Sequence, residues 1–468
     1  MGWCNAKFKL VDGTDYECRR PAGDNEYCFL HSQDPEKDHQ TFVSVVKEAL
    51  RGESKFPGGL RGAVFFTTEG LFDGHIALRV LLDKAEFHCD ADFKDIDFPL
   101  GVSFDGAKFK ERAVFSGRKT ELGEASFRRA HFYGDAQFDG VFFSKRSSFD
   151  SAIFEQGADF SCPRRKGICR ASFQNVQFKQ GAQFTNREFD SVFDISGAEF
   201  GLGAETSFFL STFGGKRDFR SVKFLSDTTF KNAGFGAKPP TRFYNCDLSG
   251  LRLLDFGNRT EDIQFHNVTW PKRGFFQGQR AHVADENENP KSLELVRLYR
   301  HLQQYYYDQS EFGLSSAFYQ GFMIAKRRAE EGNRFGRHFV EGLYSFFSRY
   351  GESIWRPLIA LLILWLLVPI FLLFMGINLE QRDVEVNYDW FRDGAVGQFM
   401  SDYRKAIQWS FSLSTFFRSS ELRPPLTSWQ HLILIGETIL TGLFFSFLVM
   451  AIRRRFAPKK PMEVSSTA

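Results

Sequence analysis

The N-terminal segment brings together residue types that bind metal ions. Cys4, Cys18, Cys28 and His31 follow the pattern C-x13-C-x9-C-x2-H. Four thiolate and imidazole ligands suit the tetrahedral preference of zinc, and the closely spaced Cys28 and His31 supply two of them from one turn. Glycines between the cysteines let so short a segment fold back around an ion. The alternative interpretation is three reduced cysteines with a histidine nearby by chance.

The same residues resemble the small zinc knuckles that carry three cysteines and one histidine and end in Y-C-x-x-H, as Tyr27 to His31 do here. The resemblance implies one zinc ion held by Cys4, Cys18, Cys28 and His31. Because so short a segment has little core of its own, the metal would supply folding free energy. We therefore predict a zinc-binding knuckle over residues 1–40, followed by a linker or helix over 41–61.

The overall composition limits the remaining functions. The formal net charge of +3 gives no global basis for binding nucleic acid. Seven scattered cysteines and an N-terminus without an apolar signal region argue against a secreted disulfide framework. The soluble part is therefore predicted to be cytosolic and reduced. No nucleophile–base pair or phosphate-binding loop stands out, so the chain is predicted not to be an enzyme.

Phenylalanine, with 57 of 468 residues, marks a repeat. The spacings alternate between five and six, and a small residue stands two positions before most of the phenylalanines, as in ADF, AKF and ASF. Neither the helical period of 3.6 nor the strand period of 2 produces this pattern. It is typical of a square-sectioned β-solenoid in which each side places one phenylalanine towards the axis. The repeated positions are Phe87, Phe93, Phe98, Phe104, Phe109, Phe115, Phe127, Phe132, Phe138, Phe143, Phe149, Phe154, Phe160, Phe173, Phe178, Phe184, Phe189, Phe208, Phe213, Phe219, Phe224, Phe230 and Phe235.

This pattern resembles pentapeptide-repeat proteins, and the resemblance implies a right-handed quadrilateral β-helix over residues 62–256. The chain departs from that family by adding a residue to alternate sides, which gives about 22 residues per coil. Phe87 to Phe235 then makes about seven coils, and at about 4.8 Å per stacked strand the rod is roughly 30 Å long. Some members imitate DNA with an acidic surface, but here the acidic and basic residues nearly cancel. Cys162 and Cys169 lack nearby histidines and are interpreted as spare thiols.

A polar linker is predicted over 257–292, followed by cytosolic helices over 293–350. Two apolar stripes of helical period meet at a break near Phe312 and Gly313, which predicts an antiparallel helical hairpin. A further helix from about Arg334 to Arg349 leads towards the apolar segments that follow.

Two apolar runs, 357–377 and 429–452, are long enough to cross a bilayer. Arg349 and Arg356 precede the first, and three arginines from Arg453 follow the second. By the positive-inside rule both termini are cytoplasmic, so we predict a multi-pass protein of the plasma (inner) membrane. The membrane domain is assigned to 351–460 and a tail to 461–468.

Between these runs lies WSFSLSTFFRSSELRPPL, residues 409–426, which is too polar for a lipid-facing helix and too apolar for an ordinary loop. The layout resembles the two-transmembrane pore domain of tetrameric potassium channels, which implies a homotetramer, permeant ions and a descending helix from about Phe399 to Ser414. The resemblance assigns the filter to Ser414, Thr415, Phe416, Phe417, Arg418, Ser419, Ser420 and Glu421, and inner-helix roles to Glu437, Thr441 and Gly442.

The resemblance ends at the filter, where Thr-Val-Gly-Tyr-Gly is replaced by residues 416–420, FFRSS. Glycines allow the positive φ that turns carbonyls inward, so a potassium-selective carbonyl filter is not expected. Arg418 either holds the pore loop, by pairing with Glu421 or by extending to the outer surface, or it lines the pore. Glu437 either forms a hydrogen bond to the back of the descending helix or contacts ions.

Two functions follow from this layout. The first is an oligomeric ion channel with weak or unusual selectivity, whose solenoid is a regulatory or assembly module with an unknown cytosolic partner. The alternative is a non-conducting membrane-anchored scaffold that uses a degenerate pore domain to oligomerise.

Overall fold

The computed structural model describes residues 3–22, 26–53, 59–117, 120–162, 167–190, 193–215, 218–225, 227–235, 241–249, 251–253, 263–273, 280–283, 286, 291–329, 335–374, 395–414 and 428–456. The chain divides into two compact units. The first comprises Met1–Arg273 and Arg280–His301, and the second comprises Gly274–Gln279 and Leu302–Ala468.

The first unit is dominated by a β-solenoid of about eight turns, in which short parallel strands stack on the strands one turn away. The first sheet contains Val64–Phe65, Glu86–Phe87, Lys108–Phe109, His131–Phe132, Ile153–Phe154, Gln177–Phe178, Glu199–Phe200 and Lys223–Phe224. The second contains Ala91–Asp92, Ala113–Val114, Ala136–Gln137, Ala158–Asp159, Ala182–Gln183, Thr206–Ser207, Thr228–Thr229 and Leu251–Leu253. The third contains Val80–Leu81, Val102–Ser103, Glu121–Leu122, Ala125–Ser126, Phe142–Ser148, Gly167–Ser172, Arg187–Phe189, Thr212–Phe213 and Gly234–Phe235.

Stacked phenylalanines form the core of this solenoid, and every one of the 23 positions predicted from the repeat is buried. In the first sheet each phenylalanine pairs with its equivalent in the next turn, as Phe65 does with Phe87 at a ring-centroid distance of 4.6 Å and 7° between planes. That distance equals the spacing of hydrogen-bonded strands, so the register of the backbone sets the stacking of the rings. Within this sheet the turn length varies from 22 residues, between Phe65 and Phe87, to 24, between Phe154 and Phe178.

One corner of each turn uses the left-handed backbone conformation. Lys84, Arg129, Ser151, Asn175 and Ser221 have φ between 54° and 60° and lie at equivalent places in successive turns. Glycine and asparagine accept this conformation at little cost, whereas lysine and arginine do not. The corner is therefore imposed by the stacking of the turns.

The solenoid continues beyond its predicted end at residue 256. Ile263–His266 pairs in parallel with Thr241–Tyr244, which pairs with Asp218–Arg220, and Phe265 stacks on Phe243 at 5.4 Å. Part of the predicted 257–292 linker is thus a further stacked segment, because its alternating Ile263 and Phe265 face the core. A short antiparallel pair, Lys272–Arg273 with Arg280–Ala281, follows.

The N-terminal residues and helix α1 cover the first turn of the solenoid. Lys7–Lys9 and Asp15–Glu17 form an antiparallel pair, and α1 spans His39–Leu50 with Asp38 as its N-cap. Phe42 of α1 meets Phe65 edge to face at 5.4 Å, and Val46 is fully buried beside it. The helix predicted only loosely within 41–61 therefore closes the aromatic core.

The described residues contain six further helices: α2 (Leu293–Asp308), α3 (Phe312–Ala329), α4 (Phe335–Ser348), α5 (Trp355–Phe374), α6 (Ala395–Ser414) and α7 (Ser428–Phe456). The break between α2 and α3 is at 309–311, directly before Phe312, close to the position predicted near Phe312 and Gly313. Ser310 there adopts a left-handed φ of 61°, which reverses the chain, and Gly313 lies inside α3. Tyr306 and Phe318 stack at 5.5 Å across this turn.

Helices α5 and α7 are long and apolar enough to cross a membrane. They pack antiparallel, because Leu361 near the start of α5 meets Phe444 and Phe447 late in α7, while Leu372 near the end of α5 meets Leu434 early in α7. The N-terminus of α5 and the C-terminus of α7, each rich in arginine, therefore lie at the same end of the pair.

Candidate functional site

Cys4, Cys18, Cys28 and His31 come together as the spacing predicts. All four side chains are buried, and their ligand atoms lie within 4.8 Å of one another. His31 Nδ1 is 3.3 Å from Cys4 Sγ and 3.2 Å from Cys28 Sγ, and the Sγ atoms of Cys18 and Cys28 are 3.9 Å apart. The cluster can hold a metal ion.

Three of these separations are close to those of a tetrahedral metal site, and all of the ligand atoms lie within 4.8 Å of one another. A tetrahedral ion with Zn–S of about 2.3 Å and Zn–N of about 2.0 Å sets its ligand atoms about 3.5 to 3.8 Å apart. Burial raises the pKa of Cys4, while a hydrogen bond from the Cys18 thiol lowers the pKa of Cys28 to about 3 and raises that of Cys18. The cluster thus favours a thiolate beside two further sulfurs, which a divalent cation would stabilise.

The second nitrogen of His31 ties the cluster to the solenoid. Nε2 lies 2.8 Å from the carbonyl oxygen of Arg61, and since a carbonyl only accepts, Nε2 carries the proton. A neutral imidazole held in this way would present the lone pair of Nδ1 to a metal ion among the sulfurs. This second contact lies outside the C-x13-C-x9-C-x2-H motif and was not predicted.

Two more contacts bind the knuckle to the first turn. The amide of Val64 donates to Leu30 O at 2.7 Å, and Lys37 Nζ donates to Val64 O at 2.5 Å. Lys37 also lies 4.1 Å from the ring centroid of Phe42, and burial lowers the pKa of Lys37 to about 8. The knuckle with the candidate metal site and helix α1 therefore form a cap on the first turn of the solenoid.

Helix α6 lies against both apolar helices and runs antiparallel to α5. Phe399 near its start contacts Phe374 at the end of α5, with ring centroids 6.4 Å apart. Phe411 near its end meets Trp365 edge to face at 4.8 Å. Trp365 is the eleventh of the 20 residues of α5, so α6 ends about halfway along that helix.

Contacts in the middle of α6 hold it in this position against α5 and α7. Tyr403 Oη donates to the carbonyl oxygen of Leu366 at 2.9 Å. Ala406 is fully buried against Leu372, Leu373 and Leu434. The helix starts at Ala395, four residues before the predicted start at Phe399, and ends at the predicted Ser414.

A buried hydrogen bond joins α6 to α7. Ser410 Oγ donates to Glu437 Oε1, with both side chains buried. Ser410 belongs to α6, so the hydrogen bond predicted for Glu437 has a candidate partner here, and the pore roles assigned to both helices stay predictions. Thr441 is buried one turn further along α7, and the carbonyl of Gly442 accepts from Ser446 Oγ at 2.7 Å.

The assigned filter residues Thr415, Phe416, Phe417, Arg418, Ser419, Ser420 and Glu421 lie outside the described residues, and Ser414 is the last described residue of α6. The alternatives for Arg418 therefore stay predictions. The two described segments on either side restrict the route between them, since α6 ends halfway along α5 and α7 begins at Ser428.

Sequence reasoning missed a buried arginine inside the solenoid. Arg187 is fully buried, and its guanidinium donates to four main-chain carbonyls, those of Phe138 at 3.1 Å, Val141 at 2.5 Å, Ser161 at 3.4 Å and Phe160. Burial lowers its pKa. These bonds span two turns of the solenoid, so Arg187 fastens neighbouring turns from within.

Arg187 has space in the core because one position of the stacked phenylalanines is occupied by a smaller residue. Cys169 stands where Phe143 and Phe189 stand in the neighbouring turns, and it is fully buried. The smaller side chain leaves space that the guanidinium fills. The interruption of the phenylalanine spacing between Phe160 and Phe173 was the available signal. Cys169 is therefore part of the core.

The described residues include a β-solenoid, and two of the described helices are long and apolar enough to cross a membrane. The family model described as pentapeptide repeats (9 copies) matches residues 118–161. No curated protein matches the chain, and no solved structure matches it.

Proposed function

We propose that the protein is an oligomeric ion channel whose conduction path is lined by the segment after α6. The observation that carries the proposal is that α6 packs against α5 and ends about halfway along it. A helix of 20 residues is about 30 Å long, which equals the hydrocarbon thickness of a bilayer. If α5 spans the membrane, α6 ends near the bilayer centre and the chain must return to α7.

Irregular backbone at that depth requires water or protein around it, because lipid offers no hydrogen-bond partners. Segment 415–427 meets this requirement when several copies surround an aqueous pathway. The buried Ser410–Glu437 bond supports the arrangement, since it holds α6 against α7 at this depth. Four chains around one axis are proposed by analogy with the potassium-channel layout.

The remaining parts fit this proposal. The solenoid, proposed to be right-handed and four-sided, is a rigid cytosolic module for regulation or assembly, and zinc is the proposed metal of its cap. The arginines near the start of α5 and at the end of α7 support the proposal that both termini lie on the cytoplasmic side of the plasma (inner) membrane. No enzymatic step is proposed.

A non-conducting scaffold is the second candidate. Residues 409–426 contain no glycine, so carbonyls cannot be turned inward at low cost to replace the water around an ion. In that case the helices α5 to α7 would only anchor and oligomerise the solenoid. Conductance of the purified full chain in planar bilayers separates the two functions.

Charge substitutions test which residues line the path. Rings of Arg418 and Glu421 oppose each other, so weak selectivity is expected in the wild-type protein. In asymmetric salt, Arg418→Ser should shift the reversal potential towards cation selectivity and Glu421→Gln towards anion selectivity. Arg404→Ser, an exposed position on α6, is the control and should leave it unchanged. Unchanged reversal potentials in both test variants would remove these residues from the path, and a silent wild-type protein would favour the scaffold.

A further inference from the structure

The sulfur atoms of Cys18 and Cys28 are close neighbours within the N-terminal cluster. They lie 3.9 Å apart, so a disulfide bond of about 2.0 Å requires them to approach by about 2 Å. His31 Nδ1 lies 3.2 Å from Cys28 Sγ and 3.3 Å from Cys4 Sγ. Cys18 and Cys28 are therefore placed both to share a metal ion with Cys4 and His31 and, without it, to join each other.

Only a thin layer of protein covers this pair. The residues on either side of Cys28 in the chain, Tyr27 and Phe29, are 40% and 43% exposed, and Trp3 beside Cys4 is 69% exposed. The cysteines themselves are buried, so a small soluble oxidant reaches the sulfurs when these outer residues open briefly.

Three cysteines of the solenoid are poorer targets for oxidation. Burial raises the pKa of Cys89, Cys169 and Cys246, each to about 11. They are therefore protonated near neutral pH, and a protonated thiol is a weak nucleophile. Cysteines that bind a metal ion are deprotonated, so the sulfurs that react with an oxidant are concentrated in the cluster.

The metal and the first turn of the solenoid are joined through His31. A disulfide between Cys18 and Cys28 would leave Cys4 and His31 as ligands, two of the four that a structural zinc site uses. His31 Nε2 lies 2.8 Å from Arg61 O, so an imidazole that loses its metal on one side is less firmly held on the other. Oxidation of two sulfurs therefore acts on the contact between the cap and the solenoid.

We propose that Cys18 and Cys28 form a peroxide-sensitive switch, in which their oxidation to a disulfide releases zinc and loosens the cap from the first turn of the solenoid. The inference rests on the proposed metal of the cap but not on ion conduction. In the reduced cytosol the zinc-bound form is the resting state, and disulfides in that compartment are typically transient and redox-sensing.

The reaction proceeds in two balanced steps. The thiolate of one cysteine attacks the O–O bond of hydrogen peroxide, which gives a sulfenic acid and hydroxide. The thiolate of the other cysteine then attacks the sulfenic sulfur, forms the S–S bond and expels a second hydroxide. The two sulfurs lose two electrons, the peroxide gains them, and two protons from solvent convert the hydroxides to water.

The test uses the purified full chain loaded with zinc under reducing conditions and then freed of reductant. Hydrogen peroxide should release about one zinc per chain, measured with a chromogenic chelator, and peptide mass spectrometry should find Cys18 linked to Cys28. Dithiothreitol with added zinc should reverse both changes. Protection of the Val64 amide against hydrogen exchange should fall about ten-fold or more, as for the loss of at least one hydrogen bond, while the Gln177 amide keeps its protection.

Matched variants separate the disulfide from the loss of metal. Cys18→His replaces one zinc ligand by another and cannot form the bond, so it should retain zinc at peroxide concentrations that empty the wild-type site. Cys246→Ser, which alters a buried cysteine of the solenoid, should release zinc as the wild-type chain does. If Cys18→His does not hold zinc, the disulfide map of the wild-type chain decides.

The outcomes distinguish the switch from the metal site. Zinc retained by the wild-type chain under peroxide, or released with Cys18 and Cys28 unlinked, would overturn the switch and leave the metal site standing. Unchanged protection of the Val64 amide after zinc release would overturn the loosening of the cap. A reduced chain that binds no zinc would remove the metal and the switch together, and a chain without conductance would affect neither.

Discussion

Removing the metal from the N-terminal cluster is expected to open the first turn of the solenoid and leave later turns closed. The perturbation is the double substitution Cys18→Ser/Cys28→Ser, or chelation of the wild-type chain. Either change removes the ion that would hold His31 in place, and with it the hydrogen bond from His31 Nε2 to Arg61 O. The covering residues then separate from the core.

The magnitude follows from the contacts that join the cap to the first turn. Three of the hydrogen bonds between the described residues of these two parts come from His31, Lys37 and the Val64 amide, and they contribute about 3 kcal/mol together. Exposure of the fully or almost fully buried Phe42 and Phe65 adds about 2 kcal/mol each. The total of about 7 kcal/mol corresponds to a rise of about 10⁵-fold in the local opening constant, and so to an equal fall in protection.

Native-state hydrogen exchange measures this opening residue by residue. Protection of the Val64 amide should fall steeply, while the amide of Gln177, which donates to Ala152 O in the middle of the solenoid, should keep its protection. Cys246→Ser, a cysteine near the far end, is the matched control. Elemental analysis should find about one zinc per wild-type chain and none in the double variant. Equal loss of protection at both amides, or zinc retained by the double variant, would refute the cap.

Two further outcomes test the core and the buried charge. Phe138→Ala should destabilise the protein by about 3–5 kcal/mol in urea unfolding, because its ring stacks on Phe115 and Phe160 and its loss leaves a cavity. Tyr133→Ala, at a position partly exposed on the surface, should cost far less. Equal losses of stability in the two variants would contradict the inward register of Phe138. Burial lowers the pKa of Lys37 from its ordinary 10.5 to about 8, so the unfolded state binds more protons between these values. The stability of the metal-loaded protein should therefore rise from pH 8 to pH 10.5, and Lys37→Met should remove that part of the rise. An identical pH dependence in the variant would show that Lys37 is not buried as a cation.

Patterns that depend on near neighbours were readable from the sequence. The phenylalanine spacing predicted the buried ladders because each inward position recurs at a constant interval along the chain. The apolar runs predicted α5 and α7, since length and composition alone decide whether a helix can span a membrane. The C-x13-C-x9-C-x2-H spacing predicted the cluster because sulfur and imidazole ligands are rarely brought so close without a common ion.

Contacts between distant parts of the chain were not readable in this way. Lys84 and Arg129 adopt a left-handed conformation that their side chains disfavour, because the stacked turns on either side determine the corner. Arg187 lies in the core because Cys169 is smaller than the phenylalanines above and below it. Such an exchange of volume between neighbouring turns becomes visible only once the register is known.

The sequence by itself determined the repeat, the ligand set of the candidate metal site and the two apolar helices, since each depends on local spacing and composition. Only the tertiary structure decided that His31 bonds to Arg61 across the cap, that α6 ends halfway along α5, and that Ser410 meets Glu437. These contacts depend on how helices and turns pack over long separations in the chain. Packing is governed by the shape and burial of whole surfaces, which no short stretch of sequence contains.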